Sequence, residues 1–251
     1  MAEQHFSKKL PTSQREGGLD LVKWLALVTM VVDHLRMVMP NLTDLFIPGR
    51  LSFPLFCLVI GANVARSTRG EFATKANGRY LGLMLAFSAI SEVPYRYFEI
   101  AQTFNVMPTL TLGLVIAWGV HHRCLSSGFL AIVGLAAAIL LHTPLMYGFW
   151  GCLIPAATLI AIQKKAGLFW LLPAVLCVVV NTRGTAWTRA MNMEVSSIMA
   201  LLVALAAPLI GLWLLRRKIN IKLWPVTAWS YWFYPLHIVA LQGLGHLYPN
   251  A

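Results

Sequence analysis

From Asp20 to Arg66 the chain reads DLVKWLALVTMVVDHLRMVMPNLTDLFIPGRLSFPLFCLVIGANVAR. It is apolar at membrane length, broken once near Pro40-Asn41, and it carries Asp33, His34 and Arg50 inside or beside its apolar runs. The pattern predicts two antiparallel helices, residues 20–39 and 50–65, joined by a short turn. Ionisable groups in such segments cost a few kcal/mol each even on lenient insertion scales, so they normally face a cavity or a partner. This hairpin is therefore where chemistry is expected.

The remainder of the chain has the same character. Of 251 residues, 58% are hydrophobic and 12% charged, and the mean hydropathy is +0.68. Soluble domains carry about twice that charged fraction. The expected fold is all-α: a polytopic membrane helical bundle of about nine transmembrane helices, with the N-terminus cytoplasmic. Further helices are predicted over 79–93, 107–120, 128–142, 147–163, 167–182, 195–215 and 224–246, with Pro94 breaking the third and Pro54 kinking the second. Residues 1–18 read as a basic polar tail, disordered or lying on the membrane surface, and 19–251 as a single transmembrane domain.

Orientation follows from the basic residues. With the N-terminus in the cytosol, 15 of the 20 Lys and Arg fall on the inner side, among them Lys8, Lys9, Lys165, Lys218 and Lys222. Arg36, Arg50, Arg96, Arg183 and Arg189 fall outside. That asymmetry is the positive-inside bias, and it accounts for the net charge of +11 better than nucleic-acid binding does. Cys57, Cys124, Cys152 and Cys177 show neither paired spacing nor a ligand cluster, so no metal site and no disulfide framework are expected.

In this topology the first, third and ninth helices all run outward. His34, Glu92 and His237 then lie 13 or 14 positions from the inner boundary, roughly 20 Å along the axis. Asp33 shares that level, and Arg50 enters nearby. Each has a plainer reading. Asp33 could pair with Arg36 or Arg50, and Glu92 could neutralise Arg96. Arg50 could snorkel to the interface. Asp33 and His34, adjacent on one helix, point about 100° apart and so form no dyad by themselves. Lys23, Leu27, Met30 and His34 lie on one helix face and could line an access path. Gly61-Ala62 lets a neighbouring backbone approach. Arg66, Arg69, Lys75 and Arg79 serve topology or form a phosphate-binding mouth, with Asn63 just before them.

Several of these motifs also resemble a known family. Lys23, Ala26-Leu27, Met30, Asp33-His34, Gly49-Arg50, Phe53-Pro54-Leu55-Phe56, Ser91-Glu92-Val93-Pro94, Asn105 and Tyr234-Pro235-Leu236-His237, in this order, resemble the TraX family. The likeness is clearest over 20–113 and 229–243. TraX proteins and their TrbP-like relatives are encoded with conjugative transfer systems, and the best-known activity is N-terminal acetylation of pilin. The family is also distantly similar to multi-pass acyltransferases that move acyl groups from cytosolic acyl-CoA across a membrane. The resemblance implies a bacterial inner-membrane N-acetyltransferase with acetyl-CoA as donor, a conjugative pilin amine as acceptor, and membrane lipids around it.

By matching position, His34 is the catalytic histidine, with Asp33 and Arg50 beside it and Glu92 and His237 as further catalytic candidates. The donor is expected to meet Lys23, Asn63, Arg66, Arg69 and Arg79. A processed α-amine titrates at about 7.7–8.0, so only modest base assistance from His34 is needed. Two other classes fit the same residues. A proton-coupled transporter also places His, Asp, Glu and Arg at one depth, although no inverted repeat is visible. A non-catalytic pilus-assembly chaperone would use Gly61 and the 94–106 loop for docking.

Overall fold

The computed structural model describes residues 12–98, 102–164, 167–182, 186–217, 219 and 223–247. Residues 1–11 of the expected basic tail lie outside these, as do Lys165, Arg183, Lys218 and Lys222. Among the described residues every regular element is helical. In chain order they are α1 (Thr12–Val38), a 3-10 turn (Pro40–Leu45), α2 (Phe46–Gly49), α3 (Ser52–Ala65), α4 (Lys75–Phe98), α5 (Val106–His122) and α6 (Leu125–Leu140). There follow α7 (Gly148–Gln163), a second 3-10 turn (Gly167–Trp170), α8 (Leu171–Asn181), α9 (Ala186–Met191), α10 (Val195–Arg216) and α11 (Trp229–Leu247).

Several boundaries differ from the sequence reading. α1 begins at Thr12, inside the expected tail, and Gly18 packs closely on the end of α10: a Cβ there would lie 3.0 Å from the Leu214 carbonyl oxygen. Pro54 does not kink a helix. It lies in the first turn of α3, where a missing N–H leaves no helical bond unmade. Pro94 does not end α4, which continues to Phe98, and the Pro94 carbonyl accepts a 2.7 Å hydrogen bond from Gln242 Nε2 on α11. α11 starts at Trp229, after a non-helical strap at 223–227.

By length and composition, two stretches are clearly able to cross a membrane, Asn41–Ala65 and Val195–Arg216. Val106–His122, Leu125–Leu140, Gly148–Gln163 and Gly167–Asn181 are apolar but shorter. The expected nine crossings are thus not all of membrane length. Many large apolar side chains also face outward, among them Phe129 and Ile132 on α6, Val175 on α8 and Leu202 on α10.

Contacts fix the helix directions. Trp24 meets Trp229, His34 meets His237, and Val38 abuts Gly245, so α1 and α11 run parallel. Phe87 against Tyr231 and Gln242 on Pro94 set α4 parallel to α11. α3 returns antiparallel to α1, with Gly49 at Asp33. α3, α5 and α7 pack closely where side chains are small. Cβ atoms added at Gly61 and Gly113 would lie 2.9 Å from the Leu159 nitrogen and 2.6 Å from Pro155 Cγ. Thr158 Oγ1 donates to the Cys57 carbonyl at 3.1 Å, pinning α7 to α3. Gly61 is therefore buried under α7 and offers no docking surface, contrary to the chaperone expectation.

Candidate functional site

His34 on α1 and His237 on α11 face each other across the parallel pair. His34 Nδ1 lies 2.8 Å from His237 Nε2. Their rings are inclined by only 13° with centroids 5.0 Å apart, so they meet edge to edge in nearly one plane. His237 Nδ1 is 2.9 Å from the Phe233 carbonyl oxygen. A carbonyl only accepts, so His237 Nδ1 carries the proton and, in the neutral ring, Nε2 is the acceptor. His34 Nδ1 must then donate to it, which places the His34 lone pair on Nε2. The backbone of α11 thus sets the tautomer of a histidine on α1.

His34 lines a polar cavity of about 440 Å³, together with Asp33, Arg36, Arg50, Gln102 and Asn181, among others. Asp33 turns away from the histidine pair: its Oδ1 accepts from Arg36 Nε at 3.0 Å, and it abuts Gly49. Of the two sequence alternatives for its partner, Arg36 is the one realised. Arg50 follows α2, half-buried, with its guanidinium 5.6 Å from the centre of the Phe46 ring. Among the described residues no carboxylate pairs with it.

Glu92 is placed elsewhere. Its Oε1 accepts from Arg96 Nε at 2.6 Å. Its Oε2 accepts from the Asn105 backbone N–H at 2.9 Å and from Asn105 Nδ2 at 2.6 Å. Asn105 caps α5, its side chain accepting from the Met107 N–H at 2.9 Å. Glu92 therefore fastens the start of α5 to α4, and it is not among the residues lining the polar cavity.

Toward the opposite end lies a mainly apolar chamber of about 270 Å³. Lys23 and Asn63 line it, with Leu27, Ile60 and Tyr80. Met30, Phe56, Val106 and Tyr234 line both cavities, so the two abut along the bundle axis. Lys23 Nζ donates to Asp20 Oδ1 at 3.1 Å and to the Val226 carbonyl at 2.7 Å. Trp24 Nε1 donates to the Trp224 carbonyl at 2.9 Å. Together they hold the 223–227 strap across this end of α1.

The remaining basic candidates separate. Arg66 lines a third cavity that shares no residue with the other two. Arg69 Nη2 donates to Gln163 Oε1 at 3.0 Å, and Arg79 is exposed on α4. The sequence reading missed Asn181, although a polar residue closing an apolar helix is a usable signal. It also missed the strap and the Phe233 carbonyl, which carry no side-chain signature.

An all-helical bundle with a histidine pair beside a polar cavity that abuts an apolar one is the class that this geometry defines. The chain belongs to the TraX protein family, whose match extends over residues 18–245. Among curated relatives it is similar to Protein TraX of Escherichia coli, 43% identical over 51 residues, which is 20% of this chain and 21% of that protein. Protein TraX of Escherichia coli strain K12 gives the same identity and coverage. The chain thus matches about a fifth of the length of these relatives. No solved structure matches.

Proposed function

We propose that this is a multi-pass protein of the bacterial inner membrane that transfers an acetyl group from cytosolic acetyl-CoA to the N-terminal amine of a conjugative pilin. The observation that carries the reading is the oriented His34–His237 pair, with His34 on the wall of a polar cavity that abuts an apolar one. The outward apolar side chains of α6, α8 and α10 support a lipid environment, since water-exposed faces rarely carry so much apolar surface. In this placement about nine segments cross, the shorter ones near the lower limit of about 17 residues for a span.

The apolar chamber fits a pantetheine arm. Its walls are aliphatic and aromatic, with Asn63, Tyr80 and Ser230 available to amide groups. The nucleotide end would lie near the loop that holds Arg69 and the start of α4 that holds Arg79. The thioester would then sit by Met30, Phe56, Val106 and Tyr234, within reach of His34. The acceptor amine enters the polar cavity from the outer side.

The amine nitrogen attacks the thioester carbonyl and the C–N bond forms. His34 Nε2 takes the proton that the nitrogen releases, and the resulting imidazolium keeps its Nδ1–H on His237. The C–S bond breaks, its electron pair leaves on sulfur, and His34 returns the proton to give the CoA thiol. Arg50 supplies positive charge for the oxyanion of the intermediate. His237 acts as a positioning residue, and Asp33 holds the Arg36 side of the cavity.

The test is acetyl-CoA turnover by purified protein in lipid vesicles with an amine-bearing pilin peptide. Free CoA thiol released in step with peptide acetylation supports an enzyme. Peptide binding that is indifferent to acetyl-CoA would favour the chaperone class, and proton-coupled solute flux without acetylation the transporter class.

A further inference from the structure

The third cavity, about 330 Å³, lies where the ends of α3, α7 and α10 meet the early turns of α1. Its walls are Leu19, Ile162, Leu212 and Leu215, and its polar groups are Arg66, Gln163 and Arg216. Among the described residues no Asp or Glu lines it. Arg216 is held in place: Nη2 donates to the Lys164 carbonyl at 3.3 Å and the Ala161 carbonyl at 3.5 Å, and its guanidinium lies 4.5 Å from the centre of the Trp170 ring. Those carbonyls end α7, so part of the Arg216 charge offsets that helix terminus. The Arg66 guanidinium has no such use. Among the described residues no hydrogen bond or ion pair engages its side chain. Gln163 is also fixed, with Oε1 accepting from Arg69 and Nε2 donating to His121 Nδ1 at 2.8 Å.

We infer that this cavity binds the phosphodiester of an anionic phospholipid from the cytoplasmic leaflet, with Arg66 and Arg216 on the phosphate and the leucine and isoleucine wall against the first carbons of its chains. The inference rests on the membrane placement proposed above. Guanidinium forks suit phosphate oxygens, and basic pockets between helices on the cytoplasmic side are where such headgroups bind. A soluble phosphoester, including the nucleotide end of acetyl-CoA, has the same anionic chemistry. The apolar wall and the separation from the donor chamber favour the lipid.

Full-length protein in neutral detergent would be titrated with short-chain phosphatidylglycerol, short-chain phosphatidylcholine and CoA, with binding read by native mass spectrometry. The expected result is selective retention of phosphatidylglycerol, weakened about fivefold or more by Arg66→Gln, with CoA binding unchanged in that variant. Arg79→Gln, an exposed charge outside the cavity, should retain phosphatidylglycerol as the wild type does, and monodisperse elution checks the fold of each variant. Equal phosphatidylglycerol binding by wild type and Arg66→Gln overturns the inference, as does equal weakening by Arg79→Gln. Displacement of phosphatidylglycerol by CoA, with both lost in Arg66→Gln, assigns the cavity to the soluble donor and overturns the lipid.

Discussion

His34 and His237 stand 203 positions apart in sequence and share a hydrogen bond of 2.8 Å. The carbonyl of Phe233 dictates which nitrogen of each ring holds its proton. Removing the two rings should therefore have different consequences. His34→Ala should lower acetyl transfer by about 10²- to 10⁴-fold, the usual worth of a positioned general base, while the protein still inserts. His237→Ala should leave acetyl-CoA affinity intact and reduce kcat by a smaller factor, because the base survives but its tautomer and ring angle are no longer set. Separate kcat and KM measurements on the two variants check this.

Glu92 should act on the fold rather than on chemistry. Glu92→Ala removes the acceptor for Arg96 and for both Asn105 donors. The Arg96 pair is partly exposed and contributes little. Loss of the Asn105 bonds at the start of α5 should cost about 1–2 kcal/mol. Thermal unfolding in detergent should show a lower midpoint, with kcat per folded molecule unchanged.

Gly49 permits the close approach of the α1–α3 hairpin. A Cβ at that position would lie 2.5 Å from Asp33 Cβ, Cγ and Oδ1, so Gly49→Ala must displace either Asp33 or the chain entering Arg50. The expected cost is about 1–3 kcal/mol of overpacking, together with loss of transfer activity. Comparing unfolding midpoints and turnover for Gly49→Ala and Gly78→Ala, where a Cβ meets nothing within 4 Å, checks both parts.

Cys124 precedes α6, outside the apolar helix interiors, with its Sγ 3.2 Å from Ser127 Oγ and 3.5 Å from Ser126 Oγ, and hydrogen bonding with these side chains pulls its pKa down to about 7. The thiolate is the nucleophile, so alkylation should be slow in acid, rise through about pH 7 and level off above it. An ordinary thiol would still be gaining rate near its own, higher pKa. Cys57, Cys152 and Cys177 are buried and should stay unmodified. Peptide mapping after timed iodoacetamide treatment at several pH values reads both. In sealed vesicles, an impermeant maleimide should reach Cys124 from the cytoplasmic side alone.

The sequence made the helical class legible, because the apolar runs and their proline and basic punctuation mark most of the elements. It also indicated that His34 and His237 lie at one level, since their spacing from the helix starts is similar. It could not show that the rings touch, which depends on α1 and α11 packing side by side. Glu92 illustrates the opposite limit. Its depth suggested membership of the site, but the backbone of Asn105, invisible in sequence, claims its carboxylate. Arg66 follows Asn63 by less than one helical turn, yet the two line different cavities, Asn63 within α3 and Arg66 at its C-terminal cap. The sequence predicts a kink at Pro54 and a break at Pro94, whereas Pro54 falls in the first turn of α3, where its missing N–H costs no helical bond, and α4 runs on through Pro94 to Phe98.

The most direct measurement is the intact mass of a conjugative pilin co-expressed with the wild-type protein and with His34→Ala. The account predicts a gain of one acetyl group at the pilin N-terminus with the wild type and the unmodified mass with the variant, both proteins being present in the membrane in equal amount. Unmodified pilin in the wild-type cells, or full acetylation with His34→Ala, would contradict it.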